Sequence, residues 1–258
     1  MNTTIDNLQE INKVRDVEGR FIKGYRYKFP NQHHKLIEKS GLFQFQNLNK
    51  QLSYLLGVYL SDGYVTKEEQ QNNYRRFGLE CIDKDFAEKT QNCINYLTGE
   101  KKTIRERISS KEPKRIYYRA TSSNQNLCFW LEEETGLKTK IPTRIFESPI
   151  ELKKEFLAGL LDGDGWVTKQ TNKNAVSIGF AIKDNWIWQV RFLLQKIGVE
   201  TSDIKIMNKK NPVYFFIIRS KSFIKNKLYF SIKRKQERIN NFIYSSETKR
   251  VFPLKEMI

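Results

Sequence analysis

Leu157-Ala158-Gly159-Leu160-Leu161-Asp162-Gly163-Asp164-Gly165 decides how this chain is organised. Leu157, Leu160 and Leu161 fall at i, i+3 and i+4, one stripe of an α-helix, while Gly159 and Gly163 lie four apart on another stripe. A rougher copy stands upstream as Leu55-Leu56-Gly57-Val58-Tyr59-Leu60-Ser61-Asp62-Gly63, with Leu55, Val58 and Tyr59 as its apolar stripe and Gly57 and Ser61 as its bare one. Each helix therefore has one face for its own core and one almost without side chains. Two such bare faces let helix backbones approach closely. Each motif ends in Asp-Gly, with the glycine placed as a C-terminal stop. Packed together, the helices bring Asp62 and Asp164 to one end, where two carboxylates repel unless divalent cations lie between them.

An ordinary amphipathic helix with a glycine stop would explain one copy, but not two at a domain-sized interval. A membrane helix dimer is excluded because Lys153, Lys154, Glu155, Asp162 and Asp164 interrupt any apolar span of membrane length. The doubled stretch resembles the LAGLIDADG homing endonucleases of the two-motif, single-chain type.

The interval repeats beyond the motifs. Gly63-Tyr64-Val65-Thr66-Lys67 recurs as Gly165-Trp166-Val167-Thr168-Lys169 (165 − 63 = 102), Lys84-Asp85 as Lys183-Asp184 (183 − 84 = 99), and Gly99 as Gly198 (198 − 99 = 99). Tyr117-Tyr118-Arg119 matches Ile217-Ile218-Arg219 loosely (219 − 119 = 100). A near-constant interval across separate landmarks indicates an internal repeat. The expected division is a basic extension over 1–40, a first repeat over 41–136, a linker over 137–149 and a second repeat over 150–258.

Each repeat reads alike. The motif helix comes first, with Ser148-Pro149-Ile150-Glu151 as a capping box for the second one. A hairpin follows, in which Val176, Ile178, Phe180 and Ile182 alternate with small or polar residues, as Phe77, Leu79 and Cys81 do earlier. A helix (about 84–98; about 184–197), a second hairpin (about 101–121; about 201–219) and a helix beginning near Ser122 or Ser220 complete the unit. The pattern places the chain in the α+β class. In residues 1–40 the one distinctive piece, Val17–Gly24, faintly resembles short Gly-Arg-Phe modules appended to some intron-encoded nucleases; a basic arm is the equal alternative.

Charge and composition narrow the partner. The chain has 46 basic and 29 acidic residues, a formal charge of +17, which suits a polyanion. Hydrophobic residues at 39% and aromatics at 13% point to a folded protein rather than a basic tail. Cys81, Cys93 and Cys128 form no CxxC pair and fit a reducing intracellular compartment. No secretory signal or transmembrane run is visible. The only histidines, His33-His34, leave no Ser-His-Asp triad and no HExxH zinc site.

Thr103, Arg105 and Arg107 share one strand face, as do Arg115, Tyr117 and Arg119; Arg76 points away from Phe77. Lys67, Lys169 and Arg219 join them as expected DNA contacts. A two-stranded ribbon fits the major groove, where arginine can grip guanine with two hydrogen bonds. The run Lys233-Arg234-Lys235-Gln236-Glu237-Arg238 reads as phosphate contact or solvated helix.

The resemblance, over about residues 50–245, implies two αββαββα units with saddle-shaped sheets over double-stranded DNA, in a monomer. It implies metal-assisted hydrolysis of one phosphodiester on each strand. Asp62 and Asp164 occupy its metal-ligand positions, with the backbone carbonyls of Ser61 and Gly163 completing part of the coordination. Mg2+ suits such an oxygen-rich site, and Ca2+ is expected to support binding without cleavage. Asp162 stands where the family often carries a non-catalytic acid. The family's basic residue near the end of each repeat's last strand falls on Lys221, with Ser122 or Ser123 there in the first repeat and Arg119 as a substitute. Rival readings are a maturase that binds intron RNA and a non-cleaving DNA-binding regulator. An intein would begin with Cys or Ser and end in His-Asn, which Met1 and Lys255-Glu256-Met257-Ile258 do not match.

Overall fold

The computed structural model describes residues 45, 47–68, 74–108, 115–170, 175–183, 186–207 and 210–251. The Val17–Gly24 piece and His33-His34 lie outside them. The described elements run α1 (Lys50–Leu60), β1 (Tyr64–Glu68), β2 (Tyr74–Cys81), α2 (Lys84–Thr98), β3 (Arg105–Ile108), β4 (Ile116–Ser122), α3 (Gln125–Glu134) and α4 (Thr143–Glu147). They continue as α5 (Ile150–Asp164), β5 (Gly165–Gln170), β6 (Ala175–Ile182), α6 (Ile187–Lys196), β7 (Lys205–Ile206), β8 (Tyr214–Ile218), α7 (Ser220–Lys225) and α8 (Lys233–Val251). The four-stranded sheets have orders β1-β2-β4-β3 and β5-β6-β8-β7, and every pairing is antiparallel. The duplication and the α+β class expected from the pattern are both present.

The two motif helices form the seam. A Cβ on Gly57 would strike the Phe156 carbonyl and lie 2.7 Å from Leu160 N; one on Gly159 would strike the Tyr54 carbonyl and lie 3.0 Å from Val58 N. Nothing but hydrogen fits between these backbones. The apolar stripes sink into one continuous core, where Leu55, Leu56, Val58, Leu157, Leu160 and Leu161 are fully buried. Inward strand residues meet them as the alternation foretold: Phe77 and Leu79 from β2, and Val176, Ile178, Phe180 and Ile182 from β6.

Several local expectations are corrected. The glycines after the acids do not stop their helices in the left-handed conformation: Gly165, the C-cap of α5, has φ −83°. They serve space instead, since a Cβ on Gly63 would lie 2.8 Å from Tyr59 Cα and one on Gly165 2.9 Å from Leu161 Cα. The capping box at Ser148 does not form. Pro149 is the N-cap of α5, and its carbonyl accepts from Leu152 and Lys153 N–H. The Ser148 hydroxyl donates backwards to Ile145 O at 2.8 Å, closing α4. The match of Arg119 to Arg219 is out of register. Gly78 opposes Thr121 and Gly179 opposes Ile217, so the residue equivalent to Arg119 is Phe215 (215 − 119 = 96).

All three cysteines are free, and burial pushes each thiol up to about 12. Among the described residues, no helix is long and apolar enough to cross a membrane.

Candidate active site and nucleic-acid interface

The seam ends where the two acids sit. Gly163 packs on the Ser61 side chain, and a Cβ there would lie 3.2 Å from Asp62 N, so the last turns of α1 and α5 touch at the acidic residues. Asp62 is exposed and Asp164 half-buried. Although Asp62 keeps an open side, burial by its surroundings is the largest influence on its carboxyl and holds it above the ordinary 3.8. Lys235, then Lys138, pull it back down, and Asp83 pushes it up.

Those two lysines cap the motif helices. Lys138 Nζ donates to Ser61 O at 2.6 Å and Gly63 O at 3.1 Å. Lys235 Nζ donates to Asp162 O at 2.6 Å, Gly165 O at 2.7 Å and Leu161 O at 3.3 Å. Cations at helix C-termini answer the unpaired carbonyls and the negative end of the helix dipole. Lys235 is only 6% exposed, and its burial lowers its ammonium pKa against the opposing pull of Asp162. The turn that delivers Lys138 has three successive left-handed residues, Gly136 (φ 54°), Leu137 (φ 57°) and Lys138 (φ 71°). Two of these carry side chains, a conformation that persists only where its surroundings enforce it. Sequence reasoning missed both lysines. Their interval (235 − 138 = 97) follows the repeat and was the available signal.

Asp162 is 1% exposed and points away from this end. Its carboxylate accepts from Tyr54 Oη at 2.7 Å, Ser231 N at 2.8 Å and Ile232 N at 3.3 Å, joining the first repeat's motif helix to the chain entering α8. Lys89 extends the cluster, donating to Tyr229 Oη at 3.0 Å and Ser231 Oγ at 2.9 Å, and Tyr229 Oη donates to Glu155 at 2.6 Å. The expected structural role of Asp162 agrees with these contacts.

The other site expectations separate by strand parity. Arg76, Glu80, Arg105, Arg107 and Arg119 occupy the sheet face turned away from Phe77 and Leu79, and Arg115, next before β4, shares the parity of Tyr117. Glu80 Oε2 lies 3.1 Å from Arg119 Nε and 3.4 Å from Arg107 Nη1. Lys67 has the opposite parity, on the helix-covered side, where its Nζ lies 3.6 Å from Glu132, a residue that also holds Arg75 at 2.8 Å. Lys169 pairs with Val176 and shares that covered parity. Arg219 is exposed beside Glu200 at 3.1 Å. Lys221 is exposed in the first turn of α7, and the cations that touch the motif-helix ends are Lys138 and Lys235 instead. The basic run of α8 is largely exposed, yet three of its cations have partners within the chain. Arg234 grips Asp83 at 2.5 and 2.7 Å, Lys235 caps α5, and Arg238 donates to Val167 O at 2.7 Å.

A duplicated α+β fold with its two motif helices in backbone contact and an acid at each end defines a two-motif, LAGLIDADG-type protein. The chain belongs to the family of the LAGLIDADG-like domain, whose model matches residues 49–133 and 151–241. Its fold is similar to that of the homing endonuclease I-WcaI bound to its DNA recognition sequence, with 21% identity, 83% of this chain and 95% of that one covered, and a TM-score of 0.53. It is similar also to I-DmoI in complex with DNA and Mn, at 19% identity, 69% and 94% coverage and a TM-score of 0.50.

Among curated proteins it is similar to an uncharacterized protein, MJ1054, of Methanocaldococcus jannaschii, 29% identical over 187 residues, 67% of this chain and 19% of that one. It is similar also to the ATP-dependent DNA helicase Hel308 of Thermococcus kodakarensis, 22% identical over 196 residues, 70% of this chain and 16% of that one. The chain spans less than a fifth of the length of these relatives.

Proposed function

We propose that this chain is a site-specific endonuclease that hydrolyses one phosphodiester on each strand of double-stranded DNA with a divalent cation. The observation that carries the reading is the contact of the two motif-helix ends, which sets Asp62 beside Asp164 where β1 and β5 depart. The metal-bound structures of I-DmoI, with Mn and with Ca, are consistent with it.

The donor chemistry fits a hard cation. Among the described residues no cluster of three or more His, Cys, Asp or Glu could hold a metal. Two carboxylates with water and phosphate oxygen completing the shell match the preference of magnesium for keeping several waters. Asp62 and Asp164 would hold the ion, which when bound would polarise water and stabilise charge at the phosphate. The Ser61 carbonyl, expected as a ligand, already accepts from Lys138 and keeps one lone pair for any further partner. Lys235 and Lys138 oppose the negative charge of Asp62, and the arginines of the first sheet's open face bind the duplex.

The test selects duplexes by binding in calcium, then adds magnesium and follows each strand on a gel. Wild type should cut both strands, and chelator should stop it. Asp62→Asn and Asp164→Asn should each bind at least as tightly, having lost a negative charge beside phosphate, and lose cutting by orders of magnitude on at least one strand. Asp162→Asn, two positions from Asp164, should keep cutting both strands. Cutting in excess chelator, or an Asp164→Asn variant at the wild-type rate, would refute the assignment.

A further inference from the structure

The two sheets are equivalent in topology but opposite in the chemistry of their open faces. Strand register gives the correspondence. Tyr64 opposes Gly78 as Trp166 opposes Gly179, and in each sheet the aromatic ring lies where a glycine Cβ would be. From that shared landmark, Glu80 corresponds to Ala181, Arg119 to Phe215 and Thr121 to Ile217. Arg105 opposes Arg119, and Lys205 opposes Phe215.

The first face thus presents arginines arranged around Glu80. The second presents Ala181, Phe215 and Ile217, all half-buried, with Trp166 and Phe215 in ring contact at 6.4 Å, and carries the hydroxyls of Thr168 and Ser177 two residues further along β5 and β6. None of these belongs to the core, whose members from β6 and β8 are Val176, Ile178, Phe180, Ile182, Phe216 and Ile218 on the opposite parity. Sequence inspection hides the contrast, because the apparent match of Arg119 to Arg219 supplies an arginine that the register removes.

We propose that the second sheet reads its half of the target through apolar contact with thymine methyl groups, while the first reads its half through arginine hydrogen bonds to guanine. This rests on the DNA-cleaving reading above. Two physical terms act together. An apolar side chain in the major groove meets the C5-methyl of thymine favourably. The same surface desolvates the amino group of cytosine or the acceptors of guanine and offers them no partner, which is costly. Attraction for one base and rejection of others are both needed for selectivity. The flanking Lys205 keeps the face compatible with a phosphate backbone. The target is therefore chemically polarised, with a guanine-reading half and a thymine-rich half.

The test uses the full chain in calcium and a pool of randomised duplexes. Selected sites should contain one half rich in thymine and one that discriminates guanine. Replacing thymine by deoxyuridine, which lacks only the methyl, should weaken binding by about fourfold for each methyl contacted in the thymine-rich half, near 0.8 kcal/mol per buried carbon. The same replacement in the other half should change nothing. A Phe215→Arg/Ala181→Glu variant, which installs the first sheet's pair, should shift selection towards guanine in the thymine-rich half alone. Two halves equally insensitive to deoxyuridine would overturn the proposal, as would a folded double variant that selects the wild-type site. Enrichment of a site with two alike halves sinks this inference and leaves the endonuclease reading standing; no enrichment at all sinks both. The deoxyuridine arm needs no variant, so misfolding of the double variant leaves the proposal decidable.

Discussion

Three aspartates within or just after the motif helices do different work because their surroundings differ. Asp162 is buried and held by Tyr54 and two backbone amides, whereas Asp62 stands open at the helix end with two lysines near. A carboxyl held above 3.8 binds its proton more tightly in the folded chain than in the unfolded one. Ionised Asp62 therefore costs stability, a cost absent below 3.8 and fully present above the raised value. Asp62→Asn should unfold at a higher denaturant midpoint than wild type at neutral pH, in metal-free buffer. That advantage should fade as pH falls through the window towards 3.8. A constant advantage across the whole range would show that charge is not its source. At this scale the sequence exposed the acids, because a doubled motif marks them, and Leu60 at the place of Asp162 hinted that the latter was structural. Lys138 and Lys235 left only the repeat interval between them as a signal. A lysine in a polar linker carries no periodicity, and its role arises only when a left-handed turn aims it at a helix end.

For the helices and strands, the apolar stripes and the alternating strands predicted the inward residues because burial acts on side chains one at a time. Caps and register were less legible. Ser148 has the right chemistry for a cap, yet the short helix before it takes its hydroxyl. The hairpin connections also differ in length, so a fixed sequence interval drifts by four residues between Arg119–Arg219 and the structural pair Arg119–Phe215. The motif-helix seam gives a clear test of the element-level reading. An exposed helical glycine gains about 1 kcal/mol on becoming alanine. At Gly159 the new methyl would meet backbone of α1, which cannot rotate away. Overpacking of this kind costs roughly 1–3 kcal/mol or more. Gly159→Ala should therefore lower the urea midpoint, and a stabilised variant would show that the helices are not in backbone contact.

Across the whole molecule, the DNA binding proposed above should depend strongly on charge. A net +17 implies many phosphate contacts, and each releases condensed counterions. Neutralising even six phosphates costs roughly a thousandfold in affinity between 50 and 200 mM salt. Binding constants measured across that range should fall steeply on a log–log plot, and a flat line would mean that the charge lies elsewhere than the binding face. Composition alone already favours a polyanion as the partner class. Composition could not reveal that Glu80, Glu132, Glu200 and Asp83 each sit beside an arginine, so that the number of arginines overstates how many are available to DNA.

The hydrogen bond from Tyr54 to Asp162 also decides which halves can marry. Gly57 and Gly159 are alike in both repeats and do not by themselves distinguish the halves. In the motif alignment, however, Tyr54 corresponds to Phe156 (156 − 54 = 102) and Leu60 to Asp162 (162 − 60 = 102). A pair of first halves would set Tyr54 against Leu60, and a pair of second halves would bury Asp162 against Phe156 with no hydroxyl to answer it. Only the mixed pair satisfies both. If residues 41–136 and 137–258 are expressed together as separate chains, mass spectrometry should find the heterodimer in excess over either homodimer. Changing Tyr54 to Phe should erase that preference.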